Sequence, residues 1–299
     1  MPSLKAIRKR IASTKATQKI TRALKMVAGA KLTRAQQRIV AMRPYAVKTG
    51  EVLQSVAATM TESAEANDET LHALLARRPE KKALLLVLTG DRGLCGAFNT
   101  NVNKTAERAW REKEAAGIGV SFATLGRKGR EYLTRRKADI AHDFAHIYDG
   151  LDLEKARLVT KWIVPRYEKG EWDAIYVVYN EFKSAITQKV TLEPLLPLPP
   201  PANGAPAADK LGPSDFIYEP NQRALLERLV PMYVEIAIYR ALLESQASFF
   251  GAQMTAMDAA TRNAKEMIAR YTLVYNRARQ AAITKELMEI IGGAEALKD

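Results

Sequence analysis

From Asn221 to Ile291 the apolar residues Leu229, Met232, Ile236, Leu243, Phe250, Met254, Met257, Ala264, Met267, Tyr271, Val274, Ala278, Ala281, Ile283, Leu287 and Ile290 recur with a broadly helical period. Only Pro231 and Gly251 interrupt it. At ~1.5 Å per residue, some 70 helical residues span about 100 Å, too long for the inside of an ordinary globular domain. The other end of the chain repeats the pattern. Ala28, Leu32, Ala35, Ile39, Met42, Ala46, Leu53, Val56 and Met60 mark a second helix, which starts near Pro2 and Ser3 and which Pro44 can bend. Helices of this length need each other, and short, alanine-rich seams suit a close two-helix coiled coil. One helix leads into the middle of the chain and the other leaves it, so the predicted pairing is antiparallel.

Between them the pattern changes to α/β. The apolar run 83–89 reads as a buried parallel strand. It is followed by a helix at 97–116, a strand at 119–124, a basic helix at 127–137 and a strand at 139–146. A helix at 152–169 and strands at 173–179 and 184–193 complete the domain, the last two pairing across a turn at Asn180-Glu181-Phe182. Alternation of this kind predicts a Rossmann-like layered sheet. Eight of the 13 prolines fall between Pro194 and Pro220, which marks an extended linker. The expected division is a coiled-coil helix at 1–60, an α/β domain at 61–195, a proline-rich linker at 196–220 and a second coiled-coil helix at 221–299.

Charge is concentrated at one end. Residues 1–50 hold thirteen Lys or Arg and no Asp or Glu, so all of the net charge of +13 sits there. Such a segment should meet an acidic surface. A nucleic-acid partner is the alternative from another class, but the first 44 residues contain no aromatic side chain on which a base could stack. A cleaved mitochondrial presequence is disfavoured, because the helical period runs through any cleavage point. The N-terminus lacks the apolar core of a secretory signal, and no apolar run approaches the roughly 18 to 20 residues of a membrane helix, so the chain is expected on the reducing side of a membrane without spanning it.

Candidate catalytic groups are few. The stretch TGDRGLCGAF, residues 89–98, places Gly90, Gly93 and Gly96 after a strand beside the single cysteine, Cys95. It matches neither the P-loop nor the dinucleotide fingerprint, having no phosphate-binding Lys and no magnesium-binding hydroxyl. The glycines are read as a structural turn from strand to helix that lets the helix pack close, and Cys95 as an idle thiol. His142 and His146 lack the second-position glutamate of a zincin. The expectation is no catalytic residue, no cofactor and no metal.

The stretches KAIRKRIASTKATQKITRALKMVAGAKL, LTGDRGLCGAFN, YNEFKSAITQKV, MTAMDAATRNAKEMI and LVYNRARQAAITKELMEIIGGAEAL together resemble the gamma subunit of the F-type ATP synthase, in order and from end to end. A bacterial member fits, since the chloroplast form carries a cysteine pair that is missing here. The resemblance implies a non-catalytic rotor shaft. Its antiparallel coiled coil enters a ring of alpha and beta subunits, and its α/β domain lies outside. It also implies contacts to the epsilon subunit and the c-subunit ring, and it leaves room for inhibitory subunits. The place implied is the cytoplasmic face of the bacterial inner membrane, peripheral to the bilayer, with no nucleic acid bound.

The same resemblance implies site residues. Arg279, Gln280 and Thr284 match the contacts to the beta-subunit catch loop, although three such residues on an arbitrary helix would read as a solvated face. Lys9, Arg10, Lys19, Arg22, Lys25 and Lys31 would meet the acidic lever of beta. Ile283, Leu287, Ile290 and Ile291 would form an apolar bearing tip. Two departures stand out: Lys25 replaces an acidic residue common in the family, and Ser248-Phe249-Phe250-Gly251-Ala252-Gln253 replaces a charged stretch. The second predicts an apolar contact at Phe249 and Phe250, with Gly251 allowing a close approach.

Overall fold

The computed structural model describes residues 3–67, 74, 78–198 and 222–295. Helix α1 spans Leu4–Asn67 and helix α5 spans Gln222–Glu295, continuing through Pro44 and Pro231 respectively. Between them lie β1 (Lys82–Leu88), α2 (Phe98–Ala115), β2 (Gly119–Leu125), α3 (Arg127–Arg135), β3 (Ile140–Phe144), α4 (Leu153–Glu168), β4 (Ala174–Phe182) and β5 (Gln188–Leu196). The expected linker lies, from 199 on, outside the described residues, as do the side chains of Leu53, Val56 and Met60. The chain divides into two compact units, residues 1–29 with 253–299 and residues 30–252.

The first unit is a pair of antiparallel helices. Arg8 bonds Tyr275, Thr21 bonds Thr261 and Lys25 bonds Asp258, so α5 steps back as α1 advances. Opposite Gly29, an added Cβ would meet Met254 Sδ at 3.5 Å. The covered positions alternate three and four residues apart: Leu4, Ile7, Ile11, Thr14, Gln18, Thr21, Lys25 and Ala28 on α1, and Met257, Thr261, Ala264, Ile268, Tyr271, Tyr275, Ala278 and Ala282 on α5. This is the heptad spacing of a coiled coil. Met267 and Val274, expected on the stripe, are exposed, and Ala281 also faces out. Their places on the seam belong to Ile268, Tyr275 and Ala282. The seam is also more polar than alanine-rich, since Thr14, Gln18, Thr21 and Thr261 sit in it.

The second unit is built on a five-stranded sheet in the order β3-β2-β1-β4-β5, parallel except for β5. Strand β1 is central and its residues Ala83 to Leu88 are all buried. On one face Leu85, Val87, Phe122 and Val178 pack with Val102, Ala106 and Ala109 of α2 and Leu133 of α3. On the other, Val177 and Tyr179 line a cavity of about 250 Å³ with Ala237, Arg240 and Ala241 of α5. Here α5 is buried on several sides at once, at Val230, Val234, Ile236, Ile238, Leu242, Leu243 and Ala247. A helix apolar nearly all round is a core helix. The hairpin turn differs from the expected one. Asn180, Glu181 and Phe182 belong to β4 and pair with Val190, Lys189 and Gln188. The turn falls at Ser184–Thr187, because the Ser184 hydroxyl accepts from the amides of Ile186 and Thr187 and its own amide donates to Thr187 O.

Candidate functional site

In an open α/β sheet, a ligand crevice forms at the C-terminal ends of the strands where the strand order reverses, here between β1 and β4. That position is filled by the chain itself. Ser248 of α5, fully buried, donates to Asn180 O at the end of β4 (3.0 Å). The ring of Phe249 lies against Gly90, where a Cβ would stand 2.7 Å from its Cε2, and edge-on to Phe98 at 5.5 Å. Around it the loop after β1 is held by side chains. Asn99 accepts from Gly90 N and donates to Arg92 O and Cys95 Sγ. Asp91 accepts from Arg127 N and so occupies the start of α3. Thr89 Oγ1 accepts from Gly129 N (2.7 Å) and donates to Gly126 O. The amides of Gly90, Arg127 and Gly129, which an anion at the start of α3 would use, are therefore engaged within the protein.

The three glycines of this loop differ. Gly96 has φ 56°, a turn conformation. Gly90 is kept bare by Phe249, a residue of α5 and not of the helix that follows the loop. Gly93 has neither a positive φ nor any atom within 4 Å of an added Cβ, so the local geometry does not require glycine there. Cys95 is buried, and burial pushes its thiol above the ordinary range, which suppresses the thiolate. His142 stacks on Trp162 at 4.8 Å, while His146 lies outside the strand with an exposed contact to Asp149. Among the described residues no group of three or more His, Cys, Asp or Glu could hold a metal.

The surface candidates lie on the helices. The six basic residues named above do not share a face: in the heptad, Lys25 is at the seam, Arg10 and Lys31 flank it on one side and Arg22 on the other, and Lys9 and Lys19 point outward. Lys25 pairs with Asp258 across the helices, and Lys31 lies 5.5 Å from the centre of the Phe250 ring. Lys9, Arg10, Lys19 and Arg22 are exposed and have no ion pair with any described residue. On α5, Gln280, Ile283, Thr284, Leu287 and Ile291 are spaced three and four apart and form one outer face, with Ile290 beside it. Arg279 lies at its edge. Thr284 donates to Gln280 O (3.0 Å). Ile283, Leu287, Ile290 and Ile291 are 52–69% exposed. Past Ala282 the covered heptad stripe ends and the apolar residues move to the outside.

A family model for ATP synthase matches residues 3–297. The chain belongs to this family. Among its relatives are the ATP synthase gamma chain of Sorangium cellulosum, 56% identical over the whole of both chains, and that of Geobacter sp. strain M21, 48% identical over the whole of both. The central stalk and c-ring structure of Tetrahymena thermophila mitochondrial ATP synthase is similar, with a TM-score of 0.62 and 25% identity over 81% of this chain and 99% of that one. The rotor of Euglena gracilis mitochondrial ATP synthase shares the fold, with a TM-score of 0.63 and 20% identity over 94% of this chain and 98% of that one. The apolar contact expected at Phe249 and the close approach expected at Gly251 are present, but their partners Gly90, Phe98 and Ala185, and the bond from Ser248 to Asn180, were not legible in the sequence. The only signal of this docking was the unusual Phe249-Phe250-Gly251 run.

Proposed function

We propose that the chain is the central rotor shaft of an F-type ATP synthase, carrying torque between the proton-driven c ring and the catalytic sites of an alpha/beta hexamer while hydrolysing nothing itself. The observation that carries this reading within the family is the exposed apolar outer face of α5 from Ile283 to Ile291, beyond the covered seam. Undirected apolar contacts can slide past a ring. A charge-assisted hydrogen bond of roughly 1.5 to 3 kcal/mol, broken unassisted, slows a step about ten- to hundredfold. Few such bonds belong on a shaft, and those present mark defined stops. Arg279, Gln280 and Thr284 are the stops of this reading, against the catch loop of beta. Lys9, Arg10, Lys19 and Arg22, spread round α1, offer positive charge to an acidic lever in successive orientations; Lys25 and Lys31, already engaged within the chain, contribute less.

The hexamer, the c ring and an epsilon subunit are the partners, and an inhibitory subunit has room to act. The division at residues 60, 195 and 220 separates shaft, foot and linker. The place is the cytoplasmic face of a bacterial inner membrane, in keeping with the bacterial relatives; no described helix is long and apolar enough to cross a membrane. Nothing favours the nucleic-acid alternative. The test is to mix the purified chain with cognate alpha and beta subunits, isolate any complex by size exclusion and compare its ATP hydrolysis with that of each component. Strong hydrolysis only with the chain present supports the reading, and failure to assemble sinks it.

A further inference from the structure

Within the unit of residues 30–252, segment 235–251 of α5 is clasped by nearly every element of the α/β domain that reaches it. Arg157 of α4 bonds Glu235 and Glu193 of β5 bonds Arg240. Tyr148, in the loop after β3, donates to Ser245, and Ser248 donates to β4 at Asn180 O. The loop after β1 receives Phe249. At the hairpin turn, a Cβ on Gly251 would stand 3.2 Å from Ala185 O. The ion pairs at Arg157 and Arg240 are partly exposed and are weak holds. The close approaches are of another kind. Gly90 on the loop and Gly251 on the helix each lack the side chain that would push the two bodies apart, and the half-buried Phe249 ring rests on Gly90.

We propose that Phe249 is the key of a torque joint: seated on Gly90 and edge-on to Phe98, it fixes the α/β domain to α5 so that the two turn as one body. The inference rests on the rotor reading and deepens it. Torque that the domain collects from its partners reaches α5 through this packing. Close-packed contacts have low compressibility and transmit strain, whereas a smaller side chain leaves a void into which the loop can shift. Phe249 touches no substrate and is a positioning residue. It acts through Gly90 and Phe98.

The test uses the complete cognate complex in inverted membrane vesicles and reads proton uptake per ATP hydrolysed. With Phe249→Ala, hydrolysis continues and uptake per ATP is lost; Phe249→Leu, which refills most of the volume, recovers it. Gly90→Ala displaces the ring without shrinking it and gives the same loss, and it decides the matter if Phe249→Ala fails to assemble. Uptake per ATP equal to the parent in the assembled variants overturns the key. A parent chain that does not assemble with alpha and beta at all overturns the rotor reading instead, so the two failures are distinguishable.

Discussion

Lys25 Nζ lies 2.5 Å from Oδ1 of Asp258, on the helix running the other way, and Arg262 approaches the second oxygen of the same carboxylate at 3.5 Å. The hydrogen bond from Lys25, followed by the charges of Lys25 and Arg262, holds the Asp258 carboxyl below its usual range. A charged residue at a seam position fixes which neighbours a helix can have, at some expense in stability. Lys25→Glu should therefore lower the melting temperature of the purified chain, by less than the loss of a buried apolar side chain, because the pair is partly exposed. Lys25→Glu with Asp258→Lys should recover most of it. Since the folded carboxyl titrates below its unfolded counterpart, the pair's contribution is present above about pH 4 and is lost as pH falls through the depressed folded value. Thermal melts of the parent and Asp258→Asn across acidic pH check the sign: the variant should lose less stability on acidification.

Two glycines near β2 and the loop after β1 should answer oppositely to alanine. Gly126 has φ 114°, and a Cβ there would stand 2.0 Å from Thr89 O. Gly126→Ala combines a conformation that L residues rarely adopt with a backbone overlap, and should cost about 3 kcal/mol in denaturant unfolding. Gly93→Ala meets open space and should leave stability unchanged or raise it by less than about 1 kcal/mol, through reduced freedom of the unfolded chain. A large loss at Gly93 would show that its role is more than the local geometry supplies.

Cys95 should be silent in the native chain. It is 2% exposed, its thiol is pushed up by burial, and Asn99 Nδ2 donates to its sulfur at 3.2 Å. A disulfide reagent at neutral pH should label it slowly in the folded chain and at the ordinary rate in denaturant. Asn99→Ala removes the bonds to Gly90, Arg92 and Cys95 together and should speed labelling of the folded protein, read as absorbance of the released thiol. Rapid labelling of the parent would contradict the buried environment.

Elements whose environment is the same all round were legible in the sequence, and those that depend on which far-off residue they meet were not. Past the exposed Lys82, strand β1 is apolar because both of its faces are covered, so the run ALLLVL marks its place directly. The phase of α5 is harder to read. Met267 and Val274 lie on an outer stripe, Ile268 and Tyr275 on the seam, and a helix with apolar groups on two faces has a period that can be read from either. Asn180 carries a turn-former's composition, yet it lies buried in β4 with its carbonyl taken by Ser248, a contact between residues far apart in the chain. Local propensity cannot foresee such a bond. The glycines of TGDRGLCG signalled tight geometry but not its cause, because the side chain that needs Gly90 bare is supplied by α5.

The apolar tip separates stability from function. Leu287 and Ile290 are 55% and 69% exposed, so little of either is buried by folding. Exchanging both for Ser should change the unfolding free energy of the isolated chain by no more than about 0.5 kcal/mol per site. Within the assembled complex the same exchange should weaken the bearing. Sliding contacts there depend on apolar area, and a hydroxyl held against an apolar sleeve must either find a partner, and so create a stop, or be buried without one. The expected outcome is an unchanged melting curve for the free chain with slower ATP hydrolysis and a lower stall torque in single-molecule rotation. If rotation is unaffected, the exposed stripe is not the bearing. If the free chain melts early, the stripe is covered within the chain in solution and its exposure cannot carry the rotor reading.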